Sequence, residues 1–160
     1  MEEIERFDWP NPDYLDFTEC IEDTRYAYEQ GLAVFGGMWC PFFHVMCDFF
    51  GMENYFIKMY TEPEVVHAAT RKIVDFFLET NKRYLSQAAP YLSAAFFGND
   101  LGTQRSLLIS PECFDEFVLP YMREIIQQIK GMGLKVAMHS CGSIDLIIPR
   151  LIDAGVDILH

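Results

Sequence analysis

His139 and Cys141 stand two residues apart at the end of an apolar run, Lys135-Val136-Ala137-Met138. In extended backbone, side chains two apart point to the same side, so an imidazole and a thiolate can approach one ion. Nitrogen and sulfur in a tetrahedral shell suit zinc, whose charge favours the thiolate over the thiol. Two protein ligands fall short of the three that a catalytic zinc site ordinarily has. Spacing alone therefore leaves two readings open: part of a metal site, or a hydrogen-bonded histidine beside an inert cysteine. A second polar pair, Asn99-Asp100, follows the apolar run Ala94-Ala95-Phe96-Phe97. Asp100 can fix an imidazole, bind a substrate cation or accept a proton, or it can cap loop amides. Gln104 and Arg105 can line the same pocket or brace its loop, and Trp39, Phe42 and Phe43 can wall it or simply pack. His44 and His67 read as polar residues of helices, Cys20, Cys47 and Cys113 as small buried hydrophobes. The role of His160, at another strand end, stays open.

Elements must bring these residues together. Residues 1–18 contain Trp9-Pro10-Asn11-Pro12-Asp13 and read as irregular, since two prolines two apart disrupt either ladder. Residues 19–30 fit a short helix ended by Gly31, and 32–35 an apolar strand closed by Gly36-Gly37. The region 41–59 has near-helical spacing with a break at Gly51. Thr61 with Glu64 matches a capping box, and Pro63 suits a first turn, so a helix is predicted over 62–86. Its buried stripe is Val65, Ala69, Ile73, Phe76, Phe77 and Tyr84. A strand over 94–97 and a loop over 98–102 follow. Ser110 caps a helix opening at Pro111, with Phe114, Phe117, Tyr121, Ile125 and Ile129 inward and Gly131 and Gly133 at its end. A strand over 135–138 comes next, then a helix capped by Ser143 that Pro149 kinks or restarts, a stop at Gly155 and a strand over 156–159.

Buried strands alternating with amphipathic helices read as a parallel α/β arrangement. A doubly wound sheet and a β/α barrel both satisfy that order. In a barrel, chemistry gathers at the C-terminal strand ends, where Gly36-Gly37, Asn99-Asp100, His139-Cys141 and His160 fall. No G-x-G-x-x-G follows a strand and no P-loop is present, so nucleotide folds gain nothing.

Composition narrows the function classes. With 12 basic against 24 acidic residues, the net charge of -12 leaves no basic stripe for a nucleic acid. No apolar run reaches the roughly 18 residues of a membrane span, and the acidic start, Met1-Glu2-Glu3-Ile4-Glu5, is unlike a signal peptide. Five cysteines fit a reducing, cytoplasmic interior better than a secreted disulfide scaffold. A hydrophobic fraction of 51% argues for a heavily buried fold or large interfaces.

Four blocks in order carry a family resemblance: Phe97-Gly98-Asn99-Asp100-Leu101-Gly102-Thr103-Gln104, Leu107-Leu108-Ile109-Ser110-Pro111, His139-Ser140-Cys141-Gly142-Ser143, and Leu151 through Leu159. From about residue 30 onward the chain resembles the uroporphyrinogen decarboxylase superfamily, and within it the branch of corrinoid-dependent and coenzyme M methyltransferases. The resemblance implies a β/α barrel with a deep pocket at its strand ends. A complete barrel has eight repeats and about 250 residues. The expected fold is therefore a partial TIM-like (β/α) barrel of about four parallel strands with flanking helices, over 31–160, after a lead-in segment over 1–30. In the methyltransferase branch a histidine and a cysteine one residue apart bind zinc, with another cysteine much later. His139 and Cys141 match the first two ligands. The third is expected beyond His160, and Cys20, Cys40 and Cys47 are not its equivalents. The implied chemistry is zinc-dependent methyl transfer from methylcobamide on a corrinoid partner protein to a thiol or similar small acceptor. Asp100 is the expected catalytic residue, and Trp39, Asn99, Asp100 and Gln104 the expected substrate contacts. Uroporphyrinogen decarboxylases proper need no metal and use an arginine-rich N-terminal segment, which has no match here. A carboxyl-lyase of that kind and an inactive α/β scaffold are the alternatives. Open parallel edges further predict self-association.

Overall fold

Four short strands meet in one parallel sheet in the computed structural model, which describes residues 1–160. They are β1 (Phe35–Gly36), β2 (Ala94–Gly98), β3 (Lys135–His139) and β4 (Ile158–Leu159), ordered as numbered. Parallel neighbours need long crossovers, and the helices supply them. Register pairs Ala94 with Lys135 and Gly98 with His139, so the C-terminal ends of β2 and β3 finish level. Period-two alternation splits the sheet into two faces. Ala95, Phe97, Val136 and Met138 enter the main core, while Phe96 and Ala137 point the other way. On that second face Phe35 is 50% and Ile158 42% exposed. The sheet is thus an α/β layer with helices packed on one side and two free edges, β1 and β4. This is the architecture of part of a β/α barrel.

Eight α-helices accompany the sheet: α1 (Glu2–Arg6), α2 (Thr18–Glu29), α3 (Phe42–Phe50), α4 (Met52–Thr61), α5 (Pro63–Ala88), α6 (Pro111–Phe117), α7 (Leu119–Gly131) and α8 (Ile148–Ala154). The long α5 buries Val66, Ala69, Ile73, Val74 and Phe77 on one stripe, close to the predicted face. Its start differs from expectation. Thr61 closes α4 by donating to the Ile57 carbonyl at 3.2 Å, so no capping box forms. Instead the Glu62 carbonyl receives Val65 and Val66, and Pro63 in the first turn lacks one N–H that would need a partner. Ser110 does cap α6, accepting from the Cys113 amide at 3.2 Å. The single helix expected beyond it is two helices, broken at Val118. Pro120 is the reason, since its ring would clash with the carbonyl four residues back. Ser143 caps nothing and donates to Asp145 at 3.0 Å, while Pro149 lies in the first turn of α8. Gly155, left-handed, ends α8 as predicted. The start of the chain is more ordered than its prolines suggest: α1 buries Ile4, whose carbonyl accepts the Trp9 indole at 2.8 Å. Cys47 and Cys113 are buried as expected, but Cys20 is exposed on α2. No helix is long and apolar enough to cross a membrane.

Candidate metal-binding site at the strand ends

Because β2 and β3 end level, the residues just past them are thrown together. Asp100 follows β2 by two residues, and Cys141 follows β3 by two. The Cys141 amide donates to Asp100 Oδ1 at 2.8 Å, tying one strand exit to the other. Two further ties hold the exits parallel. Leu101 N donates to Ser140 Oγ at 3.1 Å, and Gly102 N to the Cys141 carbonyl at 3.2 Å. At Gly142, φ is +87°, and an added Cβ would lie 2.3 Å from the Gly102 backbone. Only glycine permits both that left-handed turn and that approach.

The result is a three-donor cluster: a carboxylate oxygen of Asp100, a ring nitrogen of His139 and the sulfur of Cys141 lie within 4.8 Å of one another. His139 Nε2 is 3.1 Å from Cys141 Sγ and 3.3 Å from Asp100 Oδ1. A tetrahedral zinc shell with ordinary bond lengths separates N and O by about 3.4 Å and N and S by about 3.6 Å. The nitrogen and oxygen already stand at that spacing, and the sulfur needs to withdraw by a few tenths of an ångström. Chemically the set is a borderline-soft nitrogen, a soft sulfur and a hard oxygen, a mixture zinc accepts. The residues therefore fit a zinc ion.

Electrostatics set the protonation states of the cluster without a metal. Desolvation raises the Cys141 thiol above its ordinary value, and the Asp100 carboxylate beside it adds to that rise. Desolvation also pushes Asp100 upward, but the Cys141 amide and thiol with His44 and His139 outweigh it and hold the carboxyl below its ordinary value. The pair thus rests as carboxylate beside thiol. A divalent cation would reverse the disadvantage of the thiolate, because its charge exceeds that of the carboxylate.

The other expected residues take distinct places. Trp39 lies across the end of β2, its ring centroid 5.8 Å from that of His139 and 5.3 Å from that of Phe96. Gly98 makes that position possible, since a Cβ there would come within 2.5 Å of the indole. Asn99 is buried, and its amide donates to the Cys40 carbonyl at 3.1 Å while its oxygen accepts from Phe43 N at 2.9 Å. It thereby caps α3 from the neighbouring strand exit and braces the left-handed backbone of Cys40, φ 50°. Gln104 and Arg105 are exposed in a turn folded around the Thr103 hydroxyl, and neither side chain has a hydrogen-bond partner. Cys40 and Cys47 are buried, and burial raises both thiols, Cys47 to about 11 with a further push from Asp48. Two histidines that spacing did not assign border the cluster. His44 Nε2, on α3, is 3.9 Å from Asp100 Oδ2, and His160 Nδ1 is 2.7 Å from His139 Nδ1. For His160 the signal was its strand-end position. For His44 the sequence carried none.

A family model described as uroporphyrinogen decarboxylase matches residues 1–160, the whole chain. The chain is also 28% identical, over 86% of its length, to a methylated-thiol–coenzyme M methyltransferase of Methanosarcina mazei. It spans 35% of that relative's length.

Proposed function

Since this chain belongs to the uroporphyrinogen decarboxylase family, we propose that its strand-end cluster is the zinc-binding part of a methyltransferase. His139 Nε2 and Cys141 Sγ would hold the ion, with Asp100 as the nearest oxygen donor. Once bound, zinc would keep a small thiol acceptor as thiolate, ready for a methyl group delivered by a corrinoid partner protein carrying methylcobamide. The likeness to a methylated-thiol–coenzyme M methyltransferase supports that choice of donor and acceptor class. Asp100 would divide its labour: Oδ1 holds the Cys141 amide, while Oδ2, 3.9 Å from His44 Nε2, would accept the incoming thiol's proton. Trp39 flanks His139, Asn99 stiffens the strand exits through Cys40 and Phe43, and the exposed Gln104 would contact the acceptor from the loop after β2.

The observation that carries this reading is the convergence of carboxylate, imidazole and thiol within 4.8 Å on the exits of adjacent strands. Metal analysis after gentle purification tests it. About one equivalent of zinc is expected, lost in both His139→Ala and Cys141→Ala. A folded wild-type protein that takes up no zinc rejects the mechanism and leaves the metal-free carboxyl-lyase reading standing.

A further inference from the structure

His139 has two ring nitrogens, and only one faces the cluster. Nε2 meets Asp100 and Cys141, while Nδ1, on the far side of the ring, lies 2.7 Å from His160 Nδ1. His160 does not belong to the three-donor group. Its backbone is fixed by parallel pairing, since its N–H donates to the Met138 carbonyl at 2.9 Å and its carbonyl accepts from Ser140 at 3.2 Å. A nitrogen-to-nitrogen contact of that length requires one proton between the rings, so one Nδ1 donates and the other accepts.

We infer that His160 is a positioning residue that selects which edge of the His139 ring faces the cluster. Two restraints act on that ring. Trp39, tilted 32° to it, limits its plane, and the His160 bond fixes the rotation within that plane. Turning the ring over about its Cβ–Cγ bond would exchange Nδ1 with Cδ2 and Nε2 with Cε1. A carbon would then face both His160 and the donor cluster, and the nitrogen pair would be lost. With a metal on Nε2, the proton between the rings belongs to His139 Nδ1, and His160 Nδ1 accepts it. Partners of this kind on the free nitrogen of a ligating histidine typically carry about 10- to 100-fold of metal affinity.

This inference rests on the zinc reading for its consequence, but the orienting contact can be measured without metal. In the 15N-labelled, metal-free protein, a hydrogen-bonded imidazole N–H on an Nδ1, shared between the two rings, is expected in wild type and absent in His160→Ala. Co2+ serves as the metal probe, with affinity read by chelator competition and geometry by its visible absorption. His160→Ala should weaken Co2+ binding about 10- to 100-fold and alter the spectrum. His160→Asn, whose side-chain oxygen can sit near the lost Nδ1, should restore both to within a few fold. An N–H signal that survives in His160→Ala, or Co2+ affinity and spectrum unchanged there, overturns the inference. A wild-type protein that binds no Co2+ rejects the zinc reading instead, and the N–H signal then decides the orienting role by itself.

Discussion

Gly142→Ala tests whether the two strand exits hold the site together. The added methyl group meets two penalties. Left-handed backbone at φ +87° costs a non-glycine residue roughly 1–2 kcal/mol. The new Cβ would also lie 2.3 Å from the Gly102 carbonyl carbon and oxygen and 2.6 Å from the Thr103 oxygen. All three are backbone atoms, so no flexible side chain can yield, and overpacking of this kind costs roughly 1–3 kcal/mol. Together they predict a loss of about 3 kcal/mol. For a chain of 160 residues, thermal unfolding should then fall by about 6–12 °C. The clash relaxes only by parting the 102–103 and 141–143 segments, which draws Cys141 away from Asp100. Metal affinity should therefore fall in the same variant at temperatures where it remains folded. Thermal unfolding by circular dichroism and chelator competition read the two effects. Gly131→Ala is the control: nothing lies within 4 Å of its added Cβ, so it should stay within about 1 kcal/mol of wild type. A Gly142→Ala protein with wild-type melting temperature and metal affinity would refute the interlock.

Asn99→Ala leaves the buried Phe43 N–H without its 2.9 Å acceptor, and denaturant unfolding should report a loss of about 2–3 kcal/mol; a change under about 0.5 kcal/mol would remove Asn99 as the α3 cap. Asp157 is held below 3.8 by its hydrogen bonds from Lys130 and then from the Val136 amide. Its depressed folded-state value means the contribution is complete above 3.8 and lost as pH falls through that lower value, so Asp157→Asn should flatten the acid limb of a stability-against-pH curve. An acid limb identical to wild type would contradict this. The open sheet face, with Phe35 and Ile158 half-exposed beside two free edges, should drive concentration-dependent association in light scattering, weakened by Ile158→Asp. A stable monomer at working concentration rejects that expectation.

Patterns that depend on near neighbours were legible in the amino-acid order. The α5 stripe, the Ser110 cap and the Gly155 stop all rest on residues within a turn or two of one another. Where the reading failed, a competing local rule had the same signature. Thr61 and Glu64 spell a capping box, yet Thr61 still belonged to α4 and spent its hydroxyl there. Ser143 had the right type for a cap but met Asp145 first. Pro120 could have been recognised as the break between α6 and α7, since proline inside an apolar helical pattern has few other outcomes.

The site divides along the same line. Sequence by itself put His139 and Cys141 at one strand exit, on the same side if extended backbone runs on to Cys141; β3 ends at His139, and the strand-exit contacts complete the arrangement. It also determined that Asp100 leaves another strand, and that β and α elements alternate. Only the tertiary structure decided that these exits are adjacent and level, through the pairing of Gly98 with His139. That register set Asp100 Oδ1 against both the Cys141 amide and the His139 ring, and it brought His160 to the ring's other nitrogen. Strand register depends on the packing of whole side-chain faces across dozens of intervening residues. No local spacing encodes it.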